Sequence, residues 1–98
     1  MYTVKTTHEF DKWIGGLKDR VTALRLRTRL KKVTLGNLGD TAPVGCGVFE
    51  MREHFGPGWR MYYIQRGDTL IVMLGGGDKS GQPADISRAI GLAATMED

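Results

Sequence analysis

Gly45-Cys46-Gly47-Val48-Phe49-Glu50-Met51-Arg52 and Gly56-Pro57-Gly58-Trp59-Arg60-Met61-Tyr62-Tyr63-Ile64 are two runs of strand-forming residues that flank a Gly-Pro-Gly turn. β-Branched and aromatic residues suit a pleated, half-buried surface, and the Gly/Pro cluster supplies the reversal, so the pair predicts a β-hairpin. Side chains alternate between the two faces of a strand. Val48, Glu50, Arg52 and His54 therefore share one face, and Phe49 and Met51 the other. The same rule separates Arg60, Tyr62 and Ile64 from Trp59, Met61 and Tyr63. In a register that sets the two strands side by side, Arg60 and Tyr62 join Glu50 and Arg52 on one exposed surface.

Downstream, Arg66-Gly67-Asp68 reads as a turn, and residues 69–74 are apolar at every position after Thr69, as a strand covered on both faces requires. Gly75-Gly76-Gly77-Asp78-Lys79-Ser80 follows as a loop that places Lys79 at a strand exit, where backbone without side chains can approach a ligand closely. Pro83 suits the first position of a terminal helix, Asp85 favours the positive end of its dipole, and Ile86, Ala89, Ile90 and Ala93 supply an apolar stripe.

Upstream, Tyr2-Thr3-Val4-Lys5 predicts a short first strand, and Thr6 or Thr7 an N-cap. Phe10, Trp13, Ile14 and Leu17 recur at i, i+3, i+4 and i+7, the stripe of a short helix that Gly15-Gly16 weakens and that ends around Leu17. A second helix begins after Lys18-Asp19 and runs to Val33 or Thr34. It carries Leu17, Val21, Leu24 and Thr28 on one side and Ala23, Leu26, Leu30 and Val33 on roughly the other. Two stripes predict two packing partners, the first helix and a sheet. Residues 35–43 form a turn-rich connector. The expected fold is α+β: a short N-terminal strand, a helical hairpin, three antiparallel strands and a C-terminal helix, in one domain spanning residues 1–98.

The chain of 98 residues has 41% hydrophobic and 26% charged residues, enough for one core and too little for two. Cys46 is the only cysteine, which excludes an internal disulfide and a cysteine metal cluster, and it reads as a small buried strand residue. Residues 1–10 contain no long apolar run, so neither a signal peptide nor a membrane span is expected, and a cytoplasmic location is the default. The net charge of +3 is uneven: residues 18–32 carry seven cations against Asp19 alone. Such a block attracts polyanions or forms a solvated helix face.

The blocks Gly36-Asn37-Leu38-Gly39-Asp40, Gly47-Val48-Phe49-Glu50-Met51-Arg52, Gly56 to Tyr63, Leu74-Gly75-Gly76-Gly77-Asp78-Lys79-Ser80-Gly81-Gln82 and Asp85-Ile86 resemble, in order and spacing, those of the RelE/ParE toxin superfamily. The likeness is to its HigB-like addiction-module killer branch and covers nearly the whole chain. It implies the RelE-like microbial RNase toxin fold and the toxin of a type II toxin–antitoxin system. Such a toxin inhibits translation by ribosome-dependent, metal-independent mRNA cleavage, through attack of a 2′-hydroxyl on the adjacent phosphodiester. The implied partners are a cognate helix-turn-helix, HigA-like antitoxin, the ribosome and mRNA, with no cofactor, no metal and no membrane. A ParE-like inhibitor of DNA gyrase without nuclease activity, or a non-toxic antitoxin-binding module, are the alternatives on the same fold.

Phosphoryl chemistry of this kind needs fixed cations at the transition state, a proton acceptor and a platform for the bases. Arg60 matches the family arginine after the Gly-aromatic pair and is the principal candidate stabiliser, with Arg52 and Lys79 beside it; a structural pair with Glu50, or a solvated loop lysine, are the ordinary alternatives. Substrate contacts fall to Tyr62 (base stacking or a half-buried strand tyrosine), Gln82 (base or phosphate contact, or helix capping) and His54 (a proton acceptor or a surface histidine). Arg25, Arg29 and Lys32 on the second helix are candidates for ribosomal RNA. The tail offers neither the tyrosine nor the histidine that well-known members place near the scissile phosphate.

Overall fold

Thr7 stands between the first strand and the first helix, which it caps. Its backbone N–H donates to the Met73 carbonyl at 3.1 Å and its hydroxyl donates there at 2.9 Å, while the Phe10 N–H donates to Thr7 Oγ1 at 3.1 Å. A computed structural model describes residues 1–96. Strand β1 (Thr3–Thr6) leads into α1 (His8–Gly15) and α2 (Arg20–Thr34). Then come β2 (Thr41–Gly45), β3 (Val48–Glu53), β4 (Trp59–Arg66) and β5 (Leu70–Asp78), a single 3₁₀ turn (Lys79–Gly81) and α3 (Gln82–Ala94). The sheet runs β1-β5-β4-β3-β2, with β1 parallel to β5 and the other pairs antiparallel.

Helices cover both faces. Phe10, Ile14, Leu26 and Val33 of α1 and α2 pack on Met51, Met61, Tyr63, Ile71 and Met73. On the other face, Val48, Tyr62, Ile64 and Leu74 meet Ala89 of α3. The period-two alternation read from the sequence thus assigns β3 and β4 to the faces they occupy, and the antiparallel hairpin opposes Arg52 to Arg60 and Glu50 to Tyr62.

Five expectations need correction. The sheet has five strands, because the end of the connector pairs with β3 as an edge strand, where Pro43 loses no needed hydrogen bond. Gly45, Cys46 and Gly47 all have positive φ and form the tight turn, so Cys46 is exposed rather than buried in a strand. Helix α1 stops at Gly15, with Gly16 as its C-cap, short of Leu17. Finally, α2 buries only one stripe, Thr22, Leu26, Arg29 and Val33, and leaves Val21 64% and Leu24 65% exposed.

The glycine-rich segment differs most. Gly75, Gly76 and Gly77 are strand residues opposite Tyr62, Met61 and Arg60, and the missing side chains of Gly76 and Gly77 serve the protein itself. A Cβ at Gly76 would overlap the Trp13 indole, and one at Gly77 the Asp85 carboxylate. The bare strand lets α1 and α3 close on the two faces at one level. Among the described residues no helix is long and apolar enough to cross a membrane.

Replacing Gly76 with alanine is expected to overpack the Trp13 contact and cost about 1–3 kcal/mol in urea unfolding. Unchanged stability in Gly76→Ala would show that the indole moves freely.

Candidate functional site

Arg52 and Arg60 face each other directly across β3 and β4. Like charges at such a position are unfavourable unless an anion separates them. Glu50 is that anion: its carboxylate, 6% exposed, lies 3.9 Å from Arg52 Nη1 and 3.8 Å from Arg60 Nε, and accepts a 2.9 Å hydrogen bond from Gln82 Nε2. Gln82 opens α3, so the helix entrance is tied to the hairpin through Glu50, and the side chain serves this contact rather than a cap.

Arg60 is 7% exposed, and its Nη1 donates to the Trp59 carbonyl at 3.0 Å and the Glu53 carbonyl at 3.4 Å. Its Nε makes no hydrogen bond. Gly58 separates Arg60 from Lys79. A Cβ there would lie 3.8 Å from Arg60 Nη1 and 3.5 Å from Lys79 Cβ, and its φ of +84° also favours glycine. The β4–β5 register, Trp59 opposite Asp78, brings the Lys79 turn beside this notch. Lys79 is exposed and has no ion-pair partner among the described residues.

Arg52 turns its head the other way. Its Nη2 and Nε donate to Asp40 Oδ1 at 2.8 and 3.3 Å, and His54 Nε2 meets Asp40 Oδ2 at 2.7 Å. The Arg52 guanidinium and then His54 hold the Asp40 carboxyl down to about 2. His54 is 70% exposed, so its second ring nitrogen stands toward solvent while Asp40 fixes the first.

A similarity search against family models finds no match, and no solved structure matches. An uncharacterized protein of Haemophilus influenzae (strain ATCC 51907 / DSM 11121 / KW20 / Rd) is 40% identical over 93 residues, which span 95% of this chain and 94% of that protein. The chain belongs to that protein's family. The match spans nearly all of both chains, so the family shares this domain as a whole.

Two candidates from the sequence fall outside the site. Arg29 is 8% exposed and buries its guanidinium among carbonyls: Nη1 donates to Arg52 O at 2.8 Å, Nη2 to Leu38 O at 2.8 Å and Asp40 O at 2.9 Å, and Nε to Leu38 O at 3.3 Å. It also pairs with Glu53. Gly39 has φ +71°, and a Cβ there would press on this guanidinium, 2.8 Å from Nη2. Arg29 is a staple for the connector, not a ligand for RNA. Tyr62 is fully buried beneath α3, with no hydrogen-bond partner for its hydroxyl, and burial, then the charges of Glu50 and Asp85, push it up to about 12. It offers no face to an incoming base. Arg25 and Lys32 stay on the surface of α2, Arg25 stacked 3.7 Å over the Phe55 ring. Asp40, Gly58 and Gly39 were not singled out as site residues in the sequence, because their roles arise from strands paired far along the chain.

Arg29→Ala strands the Glu53 carboxylate and three carbonyls and is expected to cost about 3–5 kcal/mol in denaturant unfolding. A loss below about 1 kcal/mol would return Arg29 to the surface. For Asp40 the folded value lies below the ordinary 3.8, so its contribution is present above about pH 4 and is lost as pH falls toward about 2. The stability gap between the chain and Asp40→Asn should therefore be level at neutral pH and close in acid, more weakly in high salt. A gap that persists at the acid end contradicts this.

Proposed function

We propose that this protein is the toxin of a type II toxin–antitoxin pair and an mRNA endoribonuclease of the RelE/ParE kind. It inhibits translation by cutting message on the ribosome, without a metal. The observation that carries the reading is the opposed Arg52–Arg60 pair around buried Glu50, with Lys79 across the Gly58 notch. Such an arrangement concentrates cations at one strand end and leaves Lys79 uncommitted, where a phosphodiester supplies the missing countercharge.

In this reading Lys79 and the Arg60 guanidinium, of which only Nη1 is committed to carbonyls whereas all three nitrogens of Arg29 are, hold the non-bridging oxygens of the scissile phosphate. The adjacent 2′-hydroxyl gives its proton to the acceptor, its oxygen bonds to phosphorus as the bond to the 5′-oxygen breaks, and the 5′-oxygen takes a proton from water, giving a cyclic phosphate and a 5′-hydroxyl. Charge on the phosphorane-like transition state is what the fixed cations stabilise. His54, oriented by Asp40, is the candidate proton acceptor. Arg52 acts through others: it positions Asp40 and shares Glu50 with Arg60. Arg25 and Lys32 give α2 a basic flank for ribosomal RNA, and a helix-turn-helix antitoxin is the cognate partner.

Burial of Tyr62 favours a second reading. Without that ring as a base platform, the same fold serves a ParE-like gyrase inhibitor whose toxicity follows surface packing.

Induction in bacteria with mapping of mRNA 5′ ends separates the two. The nuclease reading predicts codon-phased cuts that fall about 10²–10³-fold in Lys79→Ala and Arg60→Ala, with folding checked by circular dichroism. Growth arrest with intact message and damaged DNA would reject it in favour of the gyrase reading.

A further inference from the structure

Helix α2 carries an apolar stripe that its own fold does not cover. At 100° per residue Leu24, Thr28 and Val21 lie within about 60° of one another. Arg20, Arg27 and Lys31 border them on one side, and Arg25 and Lys32 on the other. Val21 and Leu24 are among the few large apolar side chains left exposed. Beside them Ile14, Gly15 and Leu17, at the end of α1, wall a groove of about 460 Å³ whose other bank is Arg20, Val21, Leu24 and Arg27. Arg20 and Arg27 form no ion pair among the described residues.

We infer that this groove docks a partner helix that is amphipathic and acidic, with apolar residues set in the groove and glutamates or aspartates along its edges. Charge selects this occupant. A second copy of the chain would bring the same cations against Arg20 and Arg27, and like-charge juxtaposition opposes that contact. An RNA backbone answers the cations but gives Val21 and Leu24 nothing apolar to meet. An acidic amphipathic helix satisfies both, with anchors at i, i+4 and i+7 along one stripe. Neither Arg52, Arg60 nor Lys79 lines the groove, so a partner seated here leaves the cationic notch open. The inference rests on the uncovered stripe and not on the nuclease reading.

Two synthetic helical peptides with identical leucine anchors, one edged with glutamate and one with lysine, test it by fluorescence polarisation against the full chain. The glutamate peptide should bind, at least about tenfold tighter than the lysine peptide. Arg20→Glu with Arg27→Glu should reverse the order, and Leu24→Ser should weaken the glutamate peptide while leaving the circular dichroism spectrum unchanged. Four outcomes overturn the proposal: neither peptide binds; the preference survives charge reversal; an RNA oligonucleotide displaces the peptide from the groove; or sedimentation shows a dimer of the chain that Leu24→Asp dissolves. Peptide affinity and message cutting are separate readouts, so either idea can fail without the other.

Discussion

The ion cluster around Glu50 is the constraint on which the functional end of the molecule depends. An isolated carboxylate buried to this degree would be strongly unfavourable, and removing one member of such a cluster leaves an uncompensated charge. Glu50 therefore fixes where Arg52 and Arg60 sit, and through Gln82 it also fixes where α3 begins. The opposite face of the same hairpin is secured by the reverse arrangement, a buried cation among carbonyls: Arg29 takes oxygens from the connector and from β3. Strand β3 is thus held by a buried charge from each side, and Asp40 joins the two systems. Its backbone accepts from Arg29 and its carboxylate from Arg52.

The sequence is legible where a rule is local. Alternation along residues 48–54 and 59–64 assigns faces correctly, and Asp19 caps α2 as its position suggests, accepting from the Val21 N–H at 3.1 Å. It is illegible where meaning comes from a distant partner. Nothing near Arg29 distinguishes it from Arg25 or Arg27; only the carbonyls of residues 38, 40 and 52, assembled by the fold, make it a buried staple. The glycine run looks like a loop because what Gly76 and Gly77 admit, Trp13 from α1 and Asp85 from α3, comes from elements that only the fold brings against β5. Tyr62 looked available because alternation sets it beside Arg60, but α3 closes over that part of the face.

The second apolar stripe of α2 has the same lesson in reverse. Periodicity predicts that Val21 and Leu24 pack within the chain, and the fold leaves both exposed. The cationic end at Arg60 and Lys79 and the groove between α1 and α2 are separate surfaces; in the two proposals one takes a phosphate and the other a protein helix. A small domain has room for both because its apolar packing lies in two clusters against the faces of the sheet, away from either surface.

The most direct measurement is the structure of this protein on a ribosome whose A-site codon carries 2′-O-methyl groups, which block the attacking hydroxyl and hold the complex before cleavage. The account predicts a backbone phosphate of that codon within hydrogen-bonding distance of Arg60 and Lys79, with Arg29 still among its carbonyls. A protein absent from the A site, or bound there with the Gly58 notch turned away from the message, would contradict it.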